Sequence, residues 1–202
     1  MRTLVLTCLL VPTTTTAAAD APVLDPQVAG IAVSVEGGTT GFFDHHMRAI
    51  ETSEVGATWG LRLIMGTRTS LALEARYTGS ATPIATPLGD SRRTLLGNGL
   101  EGDLRWNLAR GAVTPFVFVG FGFDHEQVSG RGVTLATMGM SDQVDAMVFP
   151  IGAGVALRRG DLVVELRGAF RPCPNGDLVR LVDGGYAAMN AWEASAALGW
   201  TL

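Results

Sequence analysis

The stretch Glu54–Met65, which reads EVGATWGLRLIM, alternates large apolar residues with mostly small or polar ones. In an extended chain one face would carry Val55, Ala57, Trp59, Leu61, Leu63 and Met65. The opposite face would carry Glu54, Gly56, Thr58, Gly60, Arg62 and Ile64. A period of two residues is the signature of a strand with one apolar face, whereas an amphipathic helix repeats every 3 to 4 residues. The stretch therefore predicts a β-strand.

The same alternation recurs on both sides of this stretch. It is clear in four further segments, which are Ser70–Ala81, Thr94–Asn107, Leu162–Arg171 and Ala188–Leu202. It is weaker in three segments rich in Gly, Val and Phe, which are Val28–Phe42, Thr114–Asp124 and Val144–Arg158. Together these predict eight strands, each near the length of about 9–11 residues with which a tilted strand crosses a bilayer.

The connections between the predicted strands alternate in length. Three are short, namely Gly66–Thr69, Leu108–Val113 and Arg159–Asp161. Four are longer, namely Phe43–Ser53, Thr82–Arg93, His125–Gln143 and Pro172–Ala187. Short turns at one end and long loops at the other are typical of outer-membrane barrels, in which the short turns face the periplasm. An even number of antiparallel strands also permits closure, which removes unpaired sheet edges.

The bulk composition agrees with strands that cross a membrane. The chain has 202 residues, is 47% hydrophobic and has a mean hydropathy of +0.28. Its longest apolar runs are far shorter than the ~20 residues of a membrane-spanning helix. The net charge is −4, which argues against a nucleic-acid partner, because such a partner requires a basic face.

The N-terminus resembles a secretory signal peptide. Arg2 supplies the positive start, Leu4–Val11 is a short apolar core, and Ala17–Ala19 offers a small-residue cleavage site. We expect residues 1–19 to be removed and residues 20–202 to form one barrel domain. Cleavage would remove Cys8 and leave Cys173 as a single cysteine, so no internal disulfide is expected.

The polar faces of the predicted strands carry acids and arginines together. In a closed barrel these side chains would fill the lumen as a charge network, and the set is Arg62, Glu74, Arg76, Glu101, Asp103, Arg105, Glu165, Arg167 and Glu193. Three aromatic residues near predicted strand ends, Trp106, Phe170 and Trp200, are expected at the membrane interface. A soluble barrel that binds lipid inside also alternates. The absence of lysine among the 15 basic residues favours the membrane barrel.

The chain resembles the small outer-membrane β-barrel superfamily that includes the OmpA transmembrane domain, OmpX and OmpW. The resemblance rests on pattern along the mature chain, including Pro115–Phe123 (PFVFVGFGF), Pro150–Val155 (PIGAGV) and the tight turn at Arg158–Asp161. It implies an all-β, eight-stranded antiparallel up-and-down barrel in the bacterial outer membrane. It also implies contact with outer-membrane lipids and lipopolysaccharide, and insertion by the barrel-assembly machinery, for which relatives usually end on an aromatic residue where this chain has Leu202.

No residue pattern indicates catalysis, a cofactor or a metal. His45 and His46 are adjacent and would point in opposite directions from an extended backbone, and His125 lacks the His-x-Ser spacing of lipid-modifying barrels. We expect a monomeric, non-enzymatic outer-membrane protein, structural or interaction-mediating, with a lumen plugged by charged side chains. Two alternatives stay open, a narrow porin-like channel for small or apolar solutes and a soluble periplasmic lipid-binding barrel.

Overall fold

A computed structural model describes residues 30–43, 47, 55–85, 92–129, 143–175 and 188–202. The predicted signal peptide, residues 1–19, lies outside this part, as do His45 and His46 and most of the predicted long loops. The described chain is almost entirely strand. The strands are β1 Ile31–Phe42, β2 Gly56–Met65, β3 Leu71–Ala85, β4 Arg92–Asn107, β5 Val113–Ser129, β6 Gln143–Val148, β7 Ile151–Arg159, β8 Leu162–Arg171 and β9 Ala191–Thr201.

The strands close into a barrel. Strands that neighbour each other in the circle pair antiparallel, and β1 pairs with β9 over Ala32↔Thr201 to Phe42↔Ala191, which joins the first strand to the last. The β4–β5 pairing completes the circle. The prediction of an eight-stranded antiparallel barrel is confirmed, because β6 and β7 occupy one position in the circle, both alongside β5.

Pro150 explains why this eighth position is divided into two strands. The register against β5 is continuous across the gap, from Gly122↔Val148 on one side to Val119↔Ile151 on the other. The Gly120 N–H still donates to the Pro150 carbonyl oxygen at 2.8 Å. Proline has no N–H to return this bond, so the ladder loses one hydrogen bond while the strand keeps its course.

Several strands extend further toward the long-loop end than the sequence predicts. β3 runs to Ala85 and β4 begins at Arg92, inside the connection predicted at Thr82–Arg93, and β5 continues to Ser129. The extensions bury inward-facing side chains, among them Thr82, Ile84, Arg93 and Val128. The predicted bounds of these loops were wrong, because strand ends with few apolar residues alternate only weakly and were assigned to the loops.

The two faces of the barrel differ in polarity. Outward positions are exposed and mostly apolar, for example Leu61, Leu100, Phe123, Leu166 and Leu198. Inward positions hold the buried arginines and carboxylates. A soluble lipid-binding barrel has the opposite arrangement, with apolar residues inside, so the structure opposes that alternative. Among the described residues no helix has the length and hydropathy needed to cross a membrane.

The apolar outer band has the height of a bilayer core. On β5 the outward residues from Val113 to Phe123 are apolar apart from Pro115, and His125 and Gln127 follow. At the usual rise of a strand, Val113 and Phe123 stand about 33 Å apart along the chain, or about 25 Å along the barrel axis at a tilt near 40°. Residues beyond Phe123 on β5 therefore lie outside the band.

Candidate functional site

The lumen of the barrel holds a continuous set of ion pairs. Each of the nine predicted lumen residues is buried and faces inward, and each contacts an oppositely charged partner. The structure adds Glu36, Asp124 and Arg171 to this set. We call the twelve side chains together the lumen network, and they are Glu36, Arg62, Glu74, Arg76, Glu101, Asp103, Arg105, Asp124, Glu165, Arg167, Arg171 and Glu193.

The half of the network nearer the short turns centres on Glu74 and Glu165. Arg105 Nη1 lies 2.9 Å from Glu74 Oε1 and 2.7 Å from Glu165 Oε1, so it bridges β3 and β8. Arg167 Nη1 donates to Glu74 Oε2 at 2.7 Å, and its Nη2 donates to Asp103 Oδ2 at 2.5 Å. Both Glu74 oxygens therefore accept from a guanidinium group, which satisfies the buried carboxylate.

Glu36 on β1 joins the two halves. Its carboxylate accepts hydrogen bonds from Arg62 and from Arg76. Arg62 also donates to Glu165 Oε2 at 2.5 Å, which connects Glu36 to the half of the network nearer the short turns. Arg76 in turn donates to Glu193 and, at 3.0 Å, to Glu101 Oε2. One arginine thus contacts carboxylates on β1, β4 and β9.

Arg171 ends the network on the long-loop side. Its Nη1 lies 2.5 Å from Glu101 Oε1 and 3.1 Å from Glu193 Oε2, and its Nη2 lies 2.8 Å from Asp124 Oδ2. The network as a whole contains seven carboxylates and five guanidinium groups, an excess of two negative charges with all groups ionised. The nine residues predicted from the sequence, five acids and four arginines, have an excess of only one negative charge, and the three added members raise it to two.

The three added residues differ in how visible they are in the sequence. Arg171 alternates in phase with Glu165 and Arg167, so strand phase alone could have added it. Glu36 lies in a strand whose glycines blur the alternation. Asp124 falls where the predicted strand ended and a loop was expected, although β5 continues five residues further.

Two phenylalanines on β5 face the lumen and stack on network arginines. Arg105 Cζ lies 3.6 Å from the centroid of the Phe116 ring, and Arg167 Cζ lies 3.4 Å from that of Phe118. Both contacts have cation–π geometry. The backs of the rings lie against Gly154 and Gly152 of β7, where a Cβ would stand 2.4 Å from Cζ of Phe116 and of Phe118 respectively. The Gly-rich β7 therefore makes room for these rings.

An apolar cluster lies above the network at the long-loop end. We call it the mouth cluster, and its buried members are Phe42, Met47, Ile84, Leu95, Val128, Val144, Ala146, Val148, Cys173 and Met189. Between it and the network is a cavity of about 50 Å³, lined by hydroxyls such as Thr58 and Thr78 and by Glu126. This volume suffices for a few water molecules.

Two titratable groups near the mouth cluster lie beyond the apolar band. Burial, reinforced by the negative charge of Asp124, raises the pKa of Glu126 from 4.5 to about 8. The Glu126 Oε2 atom is buried and has no hydrogen-bond partner. Burial also raises the pKa of the Cys173 thiol to about 11. At neutral pH the Glu126 carboxyl is therefore mostly protonated and the Cys173 thiol is uncharged.

His125, the one predicted loop histidine in the described part, lies on the outer wall of β5. Its Nδ1 lies 2.7 Å from Asp145 Oδ1 on β6, and both side chains are exposed. Within the described ranges no group of three or more His, Cys, Asp or Glu side chains could hold a metal ion. The network carboxylates hold guanidinium groups, an arrangement that favours a structural role over proton transfer.

The predicted interface aromatics all face outward. Trp106 and Trp200 lie at the short-turn end and are 57% and 55% exposed. Phe170 lies at the long-loop end, where it meets Phe43 edge-to-face with ring centroids 5.1 Å apart. Trp192, which was not among the predicted interface aromatics, is the cross-strand partner of Phe170 and lies over Gly41. Aromatic residues at both edges of an apolar band are typical of membrane barrels.

Comparison with known proteins identifies the fold. The crystal structure of Neisserial surface protein A has a TM-score of 0.62 and 10% sequence identity, covering 85% of this chain and 97% of that chain. The solution structure of Escherichia coli outer membrane protein W has a TM-score of 0.48 and 17% identity, covering 86% of this chain and 98% of that chain. No family model and no curated protein matches the sequence. The chain has the fold of the small outer-membrane β-barrels.

Proposed function

We propose that the protein is a non-enzymatic, monomeric barrel of the bacterial outer membrane whose lumen is closed to solutes. Its short turns face the periplasm and its long connections face the outside, as in other barrels with this asymmetry. Its structural or interaction-mediating role belongs to the outer wall and the long connections. Lipids, lipopolysaccharide and the barrel-assembly machinery are the expected contacts of a chain with this fold.

The observation that carries the proposal is the continuous lumen network. It spans the interior from β1 to β9, and its arginines Arg62, Arg76 and Arg105 have side chains at most 1% exposed. A solute would have to break several ion pairs at once, and uncovering a buried charge costs about 3–5 kcal/mol for each pair broken. The mouth cluster adds a second closure of different chemistry, since water and ions enter apolar constrictions poorly.

The test is conductance of the refolded mature chain in planar bilayers, with heat-dependent mobility in SDS as the check on folding. Closed membrane barrels resist SDS until heated, so the unheated sample should migrate differently. We expect no steady single-channel steps from the folded protein. Steady steps from heat-modifiable protein would refute the closed lumen and favour the narrow channel. Solubility without detergent and no mobility shift would refute membrane insertion.

A matched pair of variants tests which closure matters. Arg76→Ala shortens a side chain at the centre of the network, and Leu95→Ala shortens one in the mouth cluster. Since the two closures lie in series, neither single variant should conduct, whereas the double variant should show steps. Steps from Leu95→Ala alone would contradict closure by the lumen network.

A further inference from the structure

The short-turn end of the barrel is basic. Arg68 lies in the turn after β2, Arg110 lies in the turn after β4, and Arg158 and Arg159 end β7. The only acid in the three described short turns is Asp161. Arg68, Arg110 and Arg159 are exposed. We call this end of the barrel the short-turn rim, and its excess of arginines over acids attracts anions. Arginine suits phosphate because its planar guanidinium group can donate two parallel hydrogen bonds.

Two of these arginines lie at the same end of the barrel as the outward tryptophans. Arg110 follows Trp106 by four residues, and its Nη2 donates to Ser70 Oγ at 2.5 Å in the neighbouring turn. Arg159 and Trp200 are both cross-strand partners of Leu162. Neither Arg110 nor Arg159 has a carboxylate partner within the described part of the chain, so both guanidinium charges are available.

The depth of the two tryptophans indicates what the arginines would meet. Exposed indoles at the edge of an apolar band lie at the level of lipid headgroups. A guanidinium group a few ångströms further from the bilayer centre reaches the phosphate layer. The long-loop end of the barrel differs in charge. The described outward residues near Phe170 and Trp192 are aromatic, and the charged side chain that faces outward beyond the apolar band is the acid Asp145.

We propose that the Trp106–Arg110 and Trp200–Arg159 pairs bind the phosphate groups of anionic phospholipids in the periplasmic leaflet. The inference rests on the proposed function, since it needs the barrel to span the outer membrane with its short turns inward. It goes further in assigning the short-turn rim a preference for a lipid class. The rim would thereby fix the depth and tilt of the barrel.

Quenching of tryptophan fluorescence by brominated lipids tests this directly. The chain has four tryptophans, and Trp59→Phe with Trp192→Phe leaves the two at the rim as reporters. The protein is refolded into vesicles that mix phosphatidylcholine with phosphatidylglycerol, one of them brominated at a time. We expect preferential quenching by the phosphatidylglycerol, with each arginine contributing about fivefold to the relative binding constant.

The variant Arg110→Gln with Arg159→Gln should bring the two lipids to nearly equal quenching. Arg131→Gln, which removes one charge from the predicted third long loop, should leave the preference unchanged. High salt should weaken the preference of the unaltered rim, because exposed charges are screened.

Failure of the inference and failure of the proposed function give different results. Equal quenching by both lipids in a folded, inserted barrel would overturn the phosphate site alone. A preference that survives in the double arginine variant would also overturn it, because other groups would then hold the lipid. No quenching by either brominated lipid, with no heat-dependent mobility in SDS, would overturn the membrane barrel itself and this inference with it.

Discussion

Replacing Arg76 with methionine would remove the guanidinium group that contacts Glu36, Glu101 and Glu193 while keeping much of the side-chain volume. Each of these carboxylates retains one arginine, since Glu36 still contacts Arg62, and Glu101 and Glu193 still contact Arg171. Every carboxylate therefore keeps an arginine partner, but the excess of negative charge in the network rises from two to three.

We expect Arg76→Met to lower the free energy of unfolding by about 3–5 kcal/mol, the usual cost of removing one partner from a buried pair. Urea titration of the barrel in lipid vesicles measures this. Adding Glu193→Gln should recover part of the loss, because it returns the excess of negative charge from three to two. Arg110→Met, at an exposed turn, is the matched control and should change the free energy by less than about 1 kcal/mol. Equal losses from Arg76→Met and Arg110→Met would refute a stabilising lumen network.

Three further outcomes follow from particular residues. Because the pKa of Glu126 is raised to about 8 in the folded state, the free energy of unfolding should fall as pH rises from 4.5 to about 8 and change little above that. In urea titrations across this pH range, Glu126→Gln should remove that fall, which amounts to at most about 5 kcal/mol. Gly154→Ala, whose Cβ would meet Phe116 at 2.4 Å, should destabilise the barrel by about 1–3 kcal/mol in the same titration, whereas Gly102→Ala, which meets nothing within 4 Å, should not. Cys173 is buried and its thiol pKa is raised, so it should resist alkylation at pH 7.5 in the folded barrel and react readily in urea, as measured by mass spectrometry. Fast labelling of the folded protein would show that the mouth cluster does not close the barrel.

Much of the fold follows from one local rule. Alternation fixes which side chains share a face, and a chain with an apolar face on every strand has to turn those faces to lipid or to a common interior. The pairing of acids with arginines on the other face, such as Glu74 with Arg76, indicated that this face was the confined one. The structure agrees with both steps, since Leu73 and Ala75 face outward and Glu74 and Arg76 face the lumen.

The sequence could not give the partners within the lumen. Glu165 and Arg167 lie two residues apart on one strand and do not pair with each other. Glu165 contacts Arg62 and Arg105, whereas Arg167 contacts Glu74 and Asp103. Neighbours two apart on a strand point the same way and lie side by side, whereas long side chains in a narrow lumen reach across it. Partner choice therefore depends on the stagger of the strands around the circle, which alternation does not encode.

The mouth cluster was also missed. Its members come from strand ends and from residues between strands, such as Met47, Cys173 and Met189, and they share no period. Met47 and Cys173 are isolated among polar residues or prolines, which makes them a weak signal in sequence. They become a core only when the extended β3, β4 and β5 bring Ile84, Leu95 and Val128 together.

The seam between β1 and β9 bears on how the protein is made. Arg76 on β3 contacts Glu36 on one side of the seam and Glu193 on the other, so its charge is fully matched only after the first and last strands have met. An open sheet in a bilayer would present both bare strand edges and unpaired ions to hydrocarbon. Partly built barrels are thus far higher in energy than either the released chain or the finished ring, and the chain should insert as a single cooperative event with few surviving intermediates.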